Sequence, residues 1–201
     1  MTLPAAAPFT RPLVLGSTSA YRRELLARLR LPFSVEPPEV DETPLGEEAP
    51  GPLARRLAAA KAAAVARRHP AAIVIGSDQV ADLDGEPLGK PGNHANATAQ
   101  LRRMSGRTVI FHTALSVVCH ESGFAQHDLA PVKVRFRALD AAEIEAYLRA
   151  EQPYDCAGSA RSEGAGIALL DAIESDDPTA LIGLPLIRTS RMLRAAGLRV
   201  F

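Results

Sequence analysis

Only two cysteines, Cys119 and Cys156, occur in the 201 residues, far apart and in no metal-spaced pair. The chain therefore offers neither a disulfide framework nor a zinc site, and a reducing cytoplasm is the expected setting. Net charge is lacking as well, since Lys plus Arg number 23 and Asp plus Glu number 23. No global basic field invites nucleic acid and no polybasic arm invites a membrane surface, so a site for a polyanion has to be local. No window holds the roughly 18 apolar residues of a membrane span. Met1 to Thr10 carries no charged side chain and no long apolar core, and reads as a flexible leader, not a signal peptide. Internal repeats and low-complexity linkers are absent. With 47% hydrophobic residues, the expectation is one domain over residues 1–201 with a sizeable core.

What is present centres on Ala71 to Gly92. The apolar, β-branched run Ala71 to Ile75 predicts a buried strand that stops at Gly76-Ser77-Asp78-Gln79, delivering a carboxylate to a strand end. Ligands of α/β sheets bind in the crevice beyond such ends. Asp84-Gly85 is a hairpin signal, and a hairpin there returns Lys90 towards Asp78. The same residues also suit a capped turn with a solvated cation.

Upstream, Pro12 to Gly16 reads as a second short strand followed by Ser17-Thr18-Ser19 at the start of a helix, with Ser19 as N-cap and Leu25, Leu26 and Leu29 as its buried stripe. Arg22 and Arg23 in the first turn oppose the helix dipole. Hydroxyls, free N–H groups and a guanidinium at such a junction make a phosphate site, although an ordinary capped helix with solvated arginines has the same sequence pattern. Leu31 to Val35 reads as a strand running into a proline-stiffened loop that holds Asp41 and Glu42, a pair suited to a divalent cation or simply to solvent. Helices are expected over 51–68, 93–104 and 141–150, the last capped by Asp140 with Glu143 in a capping box. On spacing alone Lys61 reads as a surface cation. Strands are expected over 107–118, 132–136 and 166–170, with a glycine-rich loop over 153–166 and a C-terminal helix opened by Pro185 and closed by Gly197. The sum is one α/β domain with a mixed sheet.

Four pieces stand in order: Gly16-Ser17-Thr18-Ser19-Ala20-Tyr21-Arg22, Val40-Asp41-Glu42, Gly76-Ser77-Asp78-Gln79 with Gly89-Lys90-Pro91, and Gly164-Ala165-Gly166-Ile167 with Gly183-Leu184-Pro185-Leu186. Together, over Leu13 to Gly197, they resemble the Maf family of nucleoside triphosphate pyrophosphatases. The resemblance implies an elongated α/β/α fold related to inosine triphosphate pyrophosphatases, two lobes around a cleft, and cleavage between the α and β phosphates. Tyr21, Gln79 and Glu163 resemble the branch, often called YceF-type, that acts on 7-methyl-GTP; the branch acting on dTTP and UTP usually has Arg, Thr and Gln there. Ala20 departs from both branches, where proline is common, and this bears on local rigidity more than on activity.

Carried over by position, the resemblance implies Asp78 as proton acceptor, Ser17, Arg22, Lys61 and Lys90 on the phosphates, and Tyr21, Gln79 and Glu163 on the base. It also implies Mg²⁺ or Mn²⁺ on Glu42 and Asp78, a small nucleotide as partner, no nucleic acid or membrane, and a homodimer left open. The alternatives are a dTTP/UTP pyrophosphatase and a non-catalytic, nucleotide-binding regulator of cell division and septum formation.

Overall fold

The protein was analysed as a computed structural model that describes residues 11–200, so the expected leader Met1 to Thr10 lies outside the described residues. The chain runs β1 (Leu13–Gly16), α1 (Ala20–Ala27), β2 (Ser34–Glu36), α2 (Pro50–Arg68), β3 (Ile73–Leu83), β4 (Glu86–Leu88), α3 (His94–Met104), β5 (Thr108–Cys119), β6 (Phe124–Phe136), α4 (Ala141–Glu151), β7 (Leu170–Glu174) and α5 (Leu186–Ala195). Six strands lie side by side in the order β2-β1-β3-β5-β6-β7, and β4 joins β3 to complete a seven-stranded sheet. β2, β1 and β3 are parallel and every other pairing is antiparallel, which is the mixed α/β sheet expected from the sequence.

β3 organises this sheet. One edge pairs with β5 from Val74 to Asp82. The other edge is shared: β1 covers Ile73 to Gly76 and β4 covers Ala81 to Leu83. From Ser77 to Val80 that second edge has no strand beside it, and the sheet is open there. Asp78 is thus not at a strand end, as its polar neighbours suggested, but in the middle of an eleven-residue strand. The crevice is still the one beyond a strand's carboxyl end, because β1 stops opposite Gly76. The Asp84-Gly85 hairpin forms as expected, both residues having positive φ, 56° and 87°.

Alternation along β3 sends its two faces to different helices. Val74, Asp78 and Val80 face α2, whose Leu53, Leu57, Ala58 and Val65 are buried against them and against Val14 and Ala114. The approach is close because two strand positions lack a side chain: a Cβ at Gly76 would sit 2.4 Å from the Ala58 carbonyl oxygen and 2.5 Å from the Ala62 nitrogen, and one at Gly16 would sit 3.4 Å from the Lys61 carbonyl oxygen. The opposite face carries two separate cores. Leu15, Ile75 and Leu115 pack with Leu25 and Leu26 of α1 and Leu193 of α5, whereas Leu83, Phe111 and Val132 pack with Leu101 of α3 and Leu148 of α4. Each such side chain contributes roughly 1.5–3 kcal/mol by leaving water. Between the two cores the odd-numbered face carries Gln79, held against the Ala180 and Leu181 carbonyl oxygens.

Several boundaries differ from expectation. β6 begins at Phe124, well before the expected 132–136, because its first half has one edge without a partner; polar side chains and Pro131 are tolerated there. The strand expected over 166–170 is Leu170–Glu174 instead, and residues 165–169 are tight turns. Gly166 allows that turn, since a Cβ on it would meet the Arg161 backbone at 2.5 Å. β2 is Ser34–Glu36, shifted past Pro32, and Pro185 is the N-cap of α5. The α4 capping box forms, with the Glu143 N–H donating to Asp140 Oδ1 at 2.8 Å and the Asp140 N–H donating to Glu143 Oε2 at 3.2 Å.

Candidate active site

A cleft of about 620 Å³ opens at the unpaired edge of β3, and Ser17, Tyr21, Arg22, Glu42, Lys61, Asp78, Gln79, Lys90 and Glu163 all line it. The nine positions singled out from the sequence therefore share one cavity.

Its floor is Lys61. The side chain is not a surface cation: it is 4% exposed, and its Nζ donates to Asp78 Oδ1 at 2.6 Å and pairs with Glu42 Oε1 at 2.8 Å. A signal for this was present, because Leu57, Lys61 and Val65 are four apart and share the face of α2 that covers β3. The Gly16 and Gly76 approach then brings α2 near enough for the ammonium to reach Asp78. Glu42 comes from the proline-stiffened loop, which is tied down beside it: Arg56 donates to both Glu48 carboxylate oxygens, at 2.7 to 3.1 Å, and to the Thr43 carbonyl oxygen at 3.1 Å. Burial acts to raise the Glu42 carboxyl. The Lys61 hydrogen bond and charge, with the charges of Lys90 and Arg22, outweigh it and hold Glu42 below its ordinary value.

Arg22 and Ser17 form the next wall. Arg22 Nε donates to the Gly183 carbonyl oxygen at 2.9 Å, so its terminal nitrogens are what it offers the cleft. Desolvation lowers the affinity of this guanidinium for its proton, and the charges of Asp78 and Glu42 act against that. The same carbonyl accepts from Ser77 Oγ at 3.0 Å, and Gly183 has φ of 121°, which only glycine adopts readily. Ser19 caps α1 by accepting from the Arg22 N–H at 3.4 Å, while the buried Ser17 Oγ accepts from the Ser19 N–H at 3.1 Å and keeps its own proton for a ligand.

The far end of the cleft is aromatic and acidic. Gln79 is fixed through its amide nitrogen, which lies 2.8 Å from Thr113 Oγ1 and 3.0 Å from the Ala180 and Leu181 carbonyl oxygens, so the amide oxygen is its remaining polar group. The Tyr21 hydroxyl is 4.0 Å from Cys156 Sγ. Burial first, then the charges of Cys156 and Asp155, push the Tyr21 hydroxyl up to about 12, and burial with Asp155 pushes the Cys156 thiol to about 12, so neither ionises at neutral pH. Glu163 comes from the glycine-rich loop, its Oε1 lying 3.6 Å from Arg161 Nε. Sequence reasoning missed the supports: Thr113 and Arg56 carry no motif, and Arg161, two residues before Glu163 in the same glycine-rich loop, is given no role by it.

Among the described residues no group of three or more His, Cys, Asp or Glu side chains forms a metal-ligand set. The donors still suit a hard divalent cation. Glu42 and Asp78 both contact the Lys61 ammonium, at 2.8 and 2.6 Å, so a divalent cation on these two carboxylates would have to displace it; Mg²⁺ commonly takes one or two protein carboxylates and completes its shell with water and substrate phosphates.

Comparison with known proteins places the chain in a family. A family model described as Maf-like protein matches residues 12–196. A protein of Albidiferax ferrireducens named 7-methyl-GTP pyrophosphatase is 68% identical over 193 residues, covering 96% of this chain and 97% of that one. Proteins of the same name from Polaromonas sp. and Burkholderia pseudomallei are 68% identical over 197 residues and 62% identical over 192, covering 98% and 94% of this chain and 90% and 89% of theirs.

Proposed function

Because the chain belongs to the Maf family, we propose that it is a nucleotide pyrophosphatase that hydrolyses the α–β phosphoanhydride of 7-methyl-GTP, releasing 7-methyl-GMP and pyrophosphate. The observation that carries this reading is the meeting of Asp78, Lys61 and Glu42 within 2.8 Å contacts at the floor of a cleft whose other end is aromatic and acidic.

Anhydride hydrolysis needs a water aimed at phosphorus, an acceptor for its proton, and positive charge where the leaving pyrophosphate gains negative charge. Asp78 is the acceptor: Lys61 holds Oδ1, which leaves Oδ2 to take the proton of the attacking water. Lys61, Lys90 and Arg22 bind the phosphates, with the Ser17 hydroxyl and the first amides of α1 adding uncharged donors. The triphosphate draws the Lys61 ammonium towards itself as it enters, which loosens the Asp78 contact and frees the carboxylate as a base. Mg²⁺ or Mn²⁺, held by Glu42 with Asp78, would neutralise phosphate charge when bound.

At the other end, guanine offers adjacent N1–H and N2 donors, which Glu163 and the Gln79 amide oxygen can accept. Methylation at N7 makes the ring a cation, and a cation is drawn to the Glu163 carboxylate and to the Tyr21 face, by about 0.5–2 kcal/mol for the ring part. The partner is a free nucleotide, not nucleic acid. No helix among the described residues is long and apolar enough to cross a membrane, and two free cysteines fit a reducing cytoplasm. The test is kcat/KM on 7-methyl-GTP, GTP, dTTP and UTP, with 7-methyl-GTP expected first; a preference for dTTP or UTP would overturn the substrate reading.

A further inference from the structure

Tyr21 and Glu163 come from different parts of the chain, yet both face one side chain that does not itself line the cleft. The Arg161 guanidinium carbon lies 5.4 Å from the centre of the Tyr21 ring, and Arg161 Nε lies 3.6 Å from Glu163 Oε1. That distance exceeds a hydrogen bond, and Nε is buried with no partner. A second carboxylate holds the other end of the fork: Arg161 Nη1 donates to Glu151 Oε2 at 3.3 Å, while Glu151 Oε1 accepts from the Ala165 N–H at 2.8 Å. The backbone is pinned as well, with the Arg161 N–H donating to the Tyr147 hydroxyl at 3.0 Å.

We propose that Arg161 is a specificity-determining residue, a resident cation that engages Tyr21 and Glu163 in the free enzyme and competes with the positively charged base of the nucleotide for them. This rests on the reading of the substrate as 7-methyl-GTP. Arg161 and the methylated base carry like charges. An N7-methylated guanine needs the same two partners that Arg161 already has, a carboxylate and an aromatic face. Its contact with Glu163 is long and its contact with Glu151 is a hydrogen bond, so Arg161 yields Glu163 to the base and stays anchored on Glu151. When the base leaves, the guanidinium again balances a carboxylate whose side chain is only 24% exposed. Because 7-methyl-GMP keeps the cationic base, the same competition weakens product binding. Arg161 thus sets a limit on discrimination in return for product release.

The test compares methylated and unmethylated guanine nucleotides on one preparation of each enzyme, so that any misfolded fraction cancels from the ratio. Arg161→Met keeps the stem and removes the charge. It should raise the preference for 7-methyl-GTP over GTP in kcat/KM, and for 7-methyl-GMP over GMP as inhibitors, by about three- to ten-fold each. Arg161→Lys keeps the charge and should hold both ratios near the parental values. Arg161→Gln repeats the neutral arm should the Met variant not fold. Unchanged or lowered ratios in the neutral variants, or a Lys variant that behaves like them, would overturn the proposal and leave the substrate reading intact. A parent with no preference for the methylated nucleotides would overturn both.

Discussion

Replacing Lys61 by Met keeps much of the side chain's length and removes the charge on which the floor of the cleft depends. In the parent, side chains that are 5% and 10% exposed meet at 2.6 Å, so the variant leaves Asp78 with a carboxylate in a poorly hydrated place. Breaking a buried pair by removing one partner costs about 3–5 kcal/mol. Two observations put the value near the lower end. Glu42, the other partner, is 54% exposed and can turn to solvent, and Arg22 on the adjoining wall is a second cation whose charge acts on Asp78. About 3 kcal/mol in a domain of this size is a fall of roughly 6–12 °C in Tm. Removing both charges relieves the strain, so Lys61→Met with Asp78→Asn should recover much of the loss. Urea denaturation of the parent, both single variants and the double variant gives the cycle, and a coupling of about 2 kcal/mol or more is expected. A Lys61→Met protein within about 1 kcal/mol of the parent, or additive single variants, would refute the picture of a buried, paired lysine.

Gly76→Ala should be among the most damaging substitutions of a single methyl group, since its Cβ meets backbone atoms of α2 at 2.4 and 2.5 Å; a stability loss of about 1–3 kcal/mol and a fall in kcat are expected by melting and turnover. Glu42 is held below its ordinary value of 4.5, so its carboxylate adds stability at pH above that value and the addition is lost as pH falls through the lowered one. Melting temperatures of the parent and Glu42→Gln should accordingly differ at pH 7 and converge in acid; a gap that widens in acid would reverse the assignment. Glu163→Gln removes the base-facing charge and supplies a donor, so activity on 7-methyl-GTP should fall and the bias against dTTP and UTP should relax, with unchanged kcat/KM ratios as the contrary result.

The sequence made the strand–turn chemistry legible wherever a local rule decided the matter. Ser19 and Asp140 cap their helices through side chains, and Asp84-Gly85 turns the hairpin, because short-range hydrogen bonds and φ preferences fix those positions. The grouping of the nine cleft residues followed from a resemblance spread over the whole chain, which no single segment could supply. Lys61 failed the local reading because a lysine on an apolar stripe is normally a solvated side chain, and only the glycine-permitted closeness of α2 to β3 turns it into a buried partner of Asp78. Asp78 was misplaced for a related reason: polar residues stop a strand in sequence, whereas here they continue it where the sheet edge opens into the cleft. Thr113 and Arg56 reach Gln79 and the Thr43 carbonyl across 34 and 13 positions, and Arg161, in the same loop as Glu163, meets Tyr21 only through the fold.

The most direct measurement is the identity and rate of products from 7-methyl-GTP, in the presence of Mg²⁺ or Mn²⁺, for the parent and Asp78→Asn. The account predicts 7-methyl-GMP and pyrophosphate in equal amounts from the parent, and a rate lower by about 10²-fold or more for Asp78→Asn, whose shape is kept and whose basicity is gone. Orthophosphate with 7-methyl-GDP, or an Asp78→Asn enzyme as fast as the parent, would contradict it.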